Sequence, residues 1–276
     1  MSLPESSTGC YRHPDRPAYV RCQRCERRVC PDCQIPAAVG VICPECMRQE
    51  RGSTPPAVRR ARGGAESVAT LSIIGVTVAV YVLQFVPGLG ITNAFLYAGI
   101  YSAPGYFEPW RLLTTVFVHS TGFILHLVLN MYTLWIFGRL LEGMIGSRRF
   151  LALYLLAGLG GSIGVLWLAG PTTPVVGASG AIFGVIGAFV VIHRSLGGSA
   201  PQLYVLLALN LLIGFLPGTG IAWQAHVGGL ATGALIGWIF SITRRPNHRR
   251  AQIGALLGVL LLLLALSLRY VLMPLA

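Results

Sequence analysis

The sequence predicts an all-α polytopic membrane protein with seven transmembrane helices and a small N-terminal module. Hydrophobic residues make up 54% of the 276 residues and charged residues only 11%, against about 25% charged in an ordinary soluble domain. The mean hydropathy is +0.67, which excludes a disordered chain and disfavours a soluble globular protein. All seven cysteines lie between Cys10 and Cys46. Cysteine chemistry therefore belongs to the N-terminal module alone.

Seven apolar runs long enough, or nearly long enough, to cross a bilayer follow this module. They are residues 68–86, 123–141, 150–169, 178–194, 201–215, 225–242 and 251–272. The chain divides into a Cys-rich cytoplasmic module at 1–50, a flexible Arg/Pro/Gly linker at 51–66, a six-span core at 67–242, and a basic loop with the seventh helix at 243–276. The N-terminus has no apolar stretch behind a basic start, so no cleaved signal peptide is expected.

The arginines set the expected orientation. All 21 basic residues are arginine, and eight in the membrane part lie at or near inner helix ends when the module is cytoplasmic: Arg139, Arg148, Arg149, Arg194, Arg244, Arg245, Arg249 and Arg250. Only Arg111 and Arg269 fall on the outer side. The positive-inside rule then predicts a multi-pass cell-membrane protein with a cytoplasmic N-terminus and an extracytoplasmic C-terminus. The net charge of +12 is not one basic face, so no nucleic-acid partner is expected.

The first outer connection, residues 87–122, is long and rich in aromatic residues, glycine and proline. Aromatic side chains such as Phe107 and Trp110 favour the headgroup zone of a bilayer. We expect a structured element lying in the membrane interface, with an irregular loop as the alternative.

Four polar residues lie where the second, fourth and sixth spans begin. His126 and Asn130 are in the second span, Ser179 opens the fourth, and His226 opens the sixth. Polar groups in hydrocarbon are costly, so their presence needs a reason. Because these spans run in the same direction, the four residues are expected at one depth below the outer surface. This coincidence favours an active site over four unrelated packing residues.

Small residues surround Ser179 and His226. Gly177 and Gly180 flank the serine at a loop-to-helix junction, where backbone N–H groups are free to bind negative charge. Gly180 and Gly184 form a G-x-x-x-G pair, and small residues recur at every fourth position along the helix of His226. Such stripes let two helices approach closely. We therefore expect the serine and the histidine to come within hydrogen-bonding reach.

A Ser–His dyad is the predicted chemistry, because the membrane part contains no aspartate. His226 would accept the Ser179 proton and make the hydroxyl a nucleophile. Phe183, one turn after the serine, would pack beneath the imidazole. His126 and Asn130 lie on one helix face and, with the Ser179 backbone N–H, would form an oxyanion hole.

Other polar residues of the membrane part receive no catalytic role. Glu142 is expected at the inner end of its span, on the wrong side for a triad, and Glu108 in the outer loop carries little weight. His119 is expected at the interface, His193 at an inner helix end, and His248 in a solvated basic loop.

The N-terminal module contains four ligand pairs, each with two intervening residues: Cys10 and His13, Cys22 and Cys25, Cys30 and Cys33, Cys43 and Cys46. Eight ligands suffice for two tetrahedral zinc ions, and so short a module needs metal to fold. Disulfides are the rival, disfavoured by the odd cysteine count and a reducing cytoplasm. The pattern is similar to B-box-type zinc fingers. A crossed arrangement, joining 10/13 with 30/33 and 22/25 with 43/46, is favoured over a sequential one.

The membrane part resembles the rhomboid family of intramembrane serine proteases over residues 68–242. The resemblance rests on Trp110-Arg111, His126-x-x-x-Asn130, Gly138-x-x-x-Glu142-x-x-x-Gly146, Gly177-x-Ser179-Gly180 and Ala225-His226-x-x-Gly229-x-x-x-Gly233. It implies a six-helix core, Ser179 as nucleophile, His226 as base, and His126, Asn130 and the Ser179 backbone as oxyanion hole. The seventh helix is an addition found in some members. Phe183 stands where many relatives carry tyrosine, which affects a hydroxyl contact but not ring stacking.

The resemblance implies an intramembrane serine endopeptidase that cleaves transmembrane segments of other proteins near the outer membrane surface. No cofactor is expected for catalysis, and two structural zinc ions are expected in the module, which could bind a protein partner, regulate the protease or anchor it. Substrates should carry small or helix-breaking residues near the cut, since amides in an intact helix are shielded. The alternative is a catalytically inactive membrane adaptor or chaperone on the same scaffold.

Overall fold

The computed structural model describes residues 9–36, 40–53, 67–198, 201–215 and 220–273. The chain divides into two compact units, Met1–Gly63 and Gly64–Ala276. Most of the predicted linker, residues 54–66, lies outside the described residues.

The N-terminal unit is built from very short elements. Strand β1 (Val20–Arg21) pairs antiparallel with β2 (Arg28–Val29), β3 (Ile35–Pro36) pairs antiparallel with β4 (Val41–Ile42), and helix α1 (Pro44–Ser53) follows. Its buried side chains are six of the seven cysteines together with Ala18, Val29 and Ile42. Among the described residues of this unit, Ala18, Val29 and Ile42 are the buried apolar side chains other than cysteine, so the cysteines supply most of what is buried there.

The membrane unit is helical. In chain order its helices are α2 (Val68–Leu83), α3 (Ile91–Phe95), α4 (Arg111–Thr114), α5 (Ile124–Ile145), α6 (Ser147–Leu168), α7 (Ser179–Ser195), α8 (Pro201–Gly214), α9 (Trp223–Ile242), α10 (Arg249–Ser267) and α11 (Arg269–Leu272). Helix α5 contains a π-helical turn at Leu134–Gly138.

Seven of these helices are apolar and have ten or more residues. Helices α5, α6, α9 and α10 are long and apolar enough to cross a membrane, and α2, α7 and α8 are shorter apolar helices of 10–17 residues. They correspond one to one with the seven predicted runs, so the prediction of an all-α polytopic membrane protein is confirmed. Helix bounds differ from the runs by a few residues, most of all at the end of α5 and of α10.

The outer connection between α2 and α5 is structured. It contains α3, a 3-10 turn at Gly99–Ser102, and α4. The buried guanidinium of Arg111 ties these pieces together: it pairs with Glu108, donates to the carbonyl oxygens of Asn93 and Leu96, and lies 4.0 Å from the ring centre of Tyr101. The irregular-loop alternative is therefore wrong.

Helices α6, α7 and α9 form the packed centre of the membrane unit. Buried residues make up 61% of the apolar stretch of α6 but only 22% of that of α10. Exposed side chains of the outer helices are largely apolar, for example Leu129 on α5 and Leu261 on α10. Apolar residues on the outside and glycines between the central helices are the pattern expected in lipid, where close van der Waals packing holds helices together.

Candidate active site and metal centres

The turn that presents Ser179 depends on Gly177. Gly177 has a φ of 120°, a backbone angle that residues with a side chain rarely adopt. A Cβ at this position would lie 2.7 Å from His126 Nε2. Its N–H donates to the Thr115 carbonyl oxygen at 3.0 Å. Glycine is therefore required both by backbone conformation and by space. The turn places Ser179 as the first residue of α7, where the helix leaves its leading N–H groups without partners.

Glycines in α6, α7 and α9 allow near-contact between backbones. A Cβ on Gly229 would lie 1.9 Å from the Gly180 carbonyl oxygen, and one on Gly233 would lie 2.0 Å from that of Gly184. Neither position has room for any side chain. This stripe draws the start of α9 against the start of α7, and so brings His226 beside the serine.

The structure joins Ser179 and His226 directly. Ser179 Oγ and His226 Nε2 are 2.9 Å apart, a normal hydrogen-bond distance. The imidazole is 6% exposed and stacks on the Phe183 ring, with ring centres 4.1 Å apart and planes 10° apart. Packing of this kind limits the imidazole to one orientation.

No carboxylate orients the histidine among the described residues. His226 Nδ1 is buried and has no hydrogen-bond partner in the described part of the chain. For Nε2 to accept the serine proton, the imidazole proton must lie on Nδ1. Ring stacking on Phe183, and not a carboxylate, therefore fixes the orientation of the imidazole.

His126 lies against the turn that carries Ser179. Its Nδ1 accepts the Ser120 backbone N–H at 3.4 Å, so the neutral ring carries its proton on Nε2. Nε2 is the atom that faces Gly177. The neutral ring thus presents an N–H donor to the turn that carries Ser179.

Asn130 lies one helical turn further along α5 and is buried. Its side-chain Nδ2 donates one hydrogen to the His126 carbonyl oxygen at 2.7 Å, which leaves a second amide hydrogen. Within the described residues, no hydrogen bond links Asn130 to Ser179.

His119 is a site neighbour that the sequence analysis missed. The sequence analysis assigns it no catalytic role, but its side chain is completely buried. Its ring centre lies 5.0 Å from that of His126, and its Nε2 accepts the Ala178 backbone N–H at 3.4 Å. The Gln84 side chain donates to its carbonyl oxygen at 2.8 Å and accepts its N–H at 3.0 Å. The buried His119 therefore contacts both the turn that carries Ser179 and His126.

A small cavity opens beside the serine. Its volume is about 20 Å³, and Ser179, Thr115 and Ser162 contribute hydroxyl groups to its lining. A space of at least about 10–15 Å³ with polar partners holds one water molecule. The Thr115 and Ser162 hydroxyls already donate to the carbonyl oxygens of Val175 and Leu112, so each retains acceptor capacity for a water.

The eight ligand residues of the N-terminal unit form two clusters. Cys10, His13, Cys30 and Cys33 make one, and Cys22, Cys25, Cys43 and Cys46 make the other, with the ligand atoms of each within 4.8 Å of one another. This grouping is the crossed arrangement. Four sulfur or nitrogen donors converging on one point suit a tetrahedral metal such as zinc, so the residues fit the expected ion.

Arg27 lies next to the all-cysteine cluster. Its Nε donates to Cys25 Sγ at 3.3 Å, and its guanidinium lies 4.4 Å from the ring centre of Tyr11. The hydrogen bond to Cys25 raises the pKa of Arg27. A cation beside these sulfurs offsets the negative charge of four thiolates.

The thiols of each cluster differ in acidity. Burial disfavours the Cys10 and Cys22 thiolates, but backbone hydrogen bonds outweigh it and lower the pKa of each to about 6. Burial and neighbouring thiols raise the pKa of Cys33 to about 11 and that of Cys46 to about 12. Without metal, each cluster is thus only partly ionised near neutral pH, and metal binding must release protons.

These features define a polytopic membrane protein with a serine–histidine pair at the starts of two packed helices. The Rhomboid domain family matches residues 106–243, half of the chain, and the chain belongs to the rhomboid family.

Individual relatives agree with this assignment. The chain is 38% identical over 149 residues to RHOMBOID-like protein 4 of Arabidopsis thaliana, covering 51% of this chain and 36% of that protein. It is 36% identical over 165 residues to Rhomboid protease GluP of Bacillus subtilis (strain 168), covering 58% and 31%. It is 38% identical over 138 residues to Putative rhomboid protease YdcA of the same organism, covering 48% and 67%. The chain spans about a third to a half of the length of most of these curated relatives.

Proposed function

We propose that this protein is an intramembrane serine endopeptidase with Ser179 as nucleophile and His226 as general base. The observation that carries the proposal is the 2.9 Å contact between Ser179 Oγ and His226 Nε2, at helix starts inside an apolar bundle. The names of two Bacillus relatives, Rhomboid protease GluP and Putative rhomboid protease YdcA, support a protease activity.

The proposed reaction follows from the positions of these atoms. His226 Nε2 takes the hydroxyl proton as Ser179 Oγ forms a bond to the scissile carbonyl carbon, and the carbonyl electron pair moves onto oxygen. The oxyanion collapses, the C–N bond breaks, and His226 gives its proton to the leaving nitrogen. A water molecule then attacks the acyl-serine with His226 again as base, which frees the acid and restores the hydroxyl. The cavity lined by Thr115 and Ser162 suits the storage of that water.

Three donors would stabilise the oxyanion. The Ser179 N–H is free of intrahelical partners because it opens α7. His126 offers Nε2–H beside the turn, and Asn130 retains one amide hydrogen. Loss of one such donor typically costs about 10²–10³ in turnover.

We propose transmembrane segments of other proteins as substrates. The serine–histidine pair lies at the starts of α7 and α9, both apolar helices, and α9 exposes hydrophobic side chains such as Leu235 and Trp238. A substrate amide must leave its own helical hydrogen bonds to reach Ser179. Segments with small or helix-breaking residues near the cut are therefore the expected substrates, and the arginine distribution supports a cytoplasmic N-terminus and an extracytoplasmic C-terminus.

We further propose that the N-terminal unit binds two structural zinc ions in the crossed arrangement. Each ion would fill its coordination shell with four protein ligands and would fold a unit that has little apolar core.

Labelling with a fluorophosphonate probe tests the proposed activity. Purified full-length protein in mild detergent should be labelled, and Ser179→Ala should abolish labelling. Ser195→Ala is the matched control, because Ser195 ends the same helix and should leave labelling unchanged. Absence of labelling in the folded wild type would instead support the inactive adaptor or chaperone.

Cleavage assays test the substrate class. In liposomes, a reporter with an Ala/Gly-rich transmembrane segment should be cut faster than a version with leucine alone. Equal cleavage of the two reporters would contradict the requirement for local unwinding.

A further inference from the structure

The end of α10, the last of the seven apolar helices, is hydrogen-bonded to the central helix α6. Trp167 Nε1, near the end of α6, donates to the Leu266 carbonyl oxygen at 3.1 Å. In return the Arg269 guanidinium donates to the Leu166 carbonyl oxygen and lies 5.2 Å from the Trp167 ring centre. These reciprocal contacts satisfy backbone groups that a helix end otherwise leaves open. They join α10 to the core at the end where α7 begins.

Tyr270 extends this contact to the outer connection. Its side chain is 4% exposed, and its hydroxyl would lie 3.4 Å from a Cβ placed on Gly99. The Arg269 guanidinium lies 5.0 Å from the Tyr270 ring centre. The tyrosine therefore packs tightly against the backbone of the 3-10 turn at Gly99–Ser102.

That turn is bonded to the loop that precedes the nucleophile. The Ile100 N–H donates to the Pro171 carbonyl oxygen at 2.7 Å. Tyr97 and Val175 exchange two backbone hydrogen bonds of 3.1 and 2.7 Å. Tyr97 is itself completely buried, and its hydroxyl contacts Ser102 Oγ at 2.9 Å. The outer connection and the loop between α6 and α7 thus form one bonded layer.

The layer continues to Ser179. The Thr115 hydroxyl donates to the Val175 carbonyl oxygen at 2.7 Å, and the Gly177 N–H donates to the Thr115 carbonyl oxygen at 3.0 Å. Gly177 stands two residues before the nucleophile. A continuous series of contacts therefore runs from Tyr270 through the loop backbones to Ser179.

We propose that Arg269 and Tyr270 are positioning residues for the active site, which act through this bonded layer. The inference rests on the proposed protease function. It gives α10 and α11, which lie beyond the matched Rhomboid domain at 106–243, a role in positioning the turn that carries Ser179. It also accounts for an arginine on the side of the membrane where basic residues are rare.

The test compares Arg269→Ala and Tyr270→Ala with Leu272→Ala in the full-length protein. Leu272 lies in the same short helix and is 73% exposed, so its truncation should change nothing. The two test variants should lower turnover and the rate of fluorophosphonate labelling about tenfold or more, because small displacements of a nucleophile have large kinetic effects. KM for a transmembrane reporter should stay within a factor of about two.

A conservative variant separates positioning from loss of folding. Arg269→Lys keeps one donor for the Leu166 carbonyl oxygen and should recover part of the labelling rate lost in Arg269→Ala. Thermal unfolding in the same detergent identifies the folded fraction, and rates are compared per folded molecule. Wild-type labelling rates per folded molecule in both alanine variants would overturn the inference.

The outcome for the wild type keeps the two proposals distinct. If the wild type shows no labelling that depends on Ser179, the protease function fails. If the wild type is labelled and the Arg269 and Tyr270 variants are labelled equally fast, the function stands and only the positioning role fails.

Discussion

The carboxylate of Glu142, near the end of α5, accepts a hydrogen bond from the hydroxyl of Thr70 at the start of α2, with an O–O distance of 2.6 Å. It also accepts the backbone N–H groups of Ala69 and Thr70 at 2.9 and 2.8 Å. These are N–H groups that the first turn of a helix cannot satisfy internally. Glu142 therefore caps α2 from another helix, and an anion there also suits the helix dipole.

Glu142→Gln should destabilise the membrane unit. The amide keeps one acceptor but turns an NH₂ group toward backbone donors, so at least one charge-assisted hydrogen bond is lost at a buried site. We expect a loss of about 1–3 kcal/mol, measured as earlier thermal unfolding in detergent. Labelling of Ser179 at low temperature should persist, because Glu142 has no contact with the serine. An unchanged unfolding midpoint would contradict the capping role.

The glycines between α7 and α9 give a second prediction. Gly233→Ala places a methyl group 2.0 Å from the Gly184 carbonyl oxygen, so the helices must separate. Overpacking of this kind costs about 1–3 kcal/mol, and the separation should also abolish Ser179 labelling. Gly258→Ala is the matched control, because nothing lies within 4 Å of a Cβ on Gly258. Equal labelling of the two variants would contradict close packing as the origin of the dyad.

His119 gives a third prediction. Its Nε2 accepts the Ala178 N–H, and glutamine places a carbonyl oxygen at a similar distance along its side chain. His119→Gln should therefore retain more turnover than His119→Leu, which has no acceptor. Turnover should fall more than substrate affinity, since His119 acts through the turn and through His126. If the leucine and glutamine variants have equal turnover per folded molecule, the hydrogen bond to Ala178 is irrelevant.

The sequence predicts the seven helices well because bilayer thickness sets the length of an apolar run. It predicts helix ends less well, because they depend on partners elsewhere in the chain. Helix α5 continues to Ile145 and ends at Gly146, whose φ is 85°. No local pattern indicates the partners that Glu142 finds on α2. Helix α10 ends at Ser267 and a separate turn begins at Arg269, where Trp167 and Arg269 bond the two helix ends.

The sequence singles out Ser179 and His226 because polar groups are scarce in apolar runs. The same reasoning does not single out His119 or Gln84. His119 lies in a connection and Gln84 at a helix end, where polar residues are common. Their importance follows only from hydrogen bonds between segments distant in sequence. The missed signal is the pairing of two histidines, His119 and His126, at the entrance to one span.

The arrangement of the two metal clusters gives the last prediction. In the crossed arrangement Cys10 and Cys33 belong to one cluster, whereas Cys10 and Cys25 belong to different clusters. The full-length protein should bind two zinc ions. The double variant Cys10→Ser/Cys33→Ser should then retain one ion, because only one cluster is damaged.

The second double variant, Cys10→Ser/Cys25→Ser, damages both clusters and should lose both ions. Sequential pairing reverses the two results, since Cys10 would then share an ion with Cys25. Metal content of the purified protein, measured by atomic emission, separates the two arrangements without any activity assay. Cobalt substitution adds a check, since tetrahedral thiolate coordination gives an intense visible absorption. A wild type that binds no metal and carries disulfides instead would contradict both arrangements, and the odd number of cysteines would then leave one thiol free.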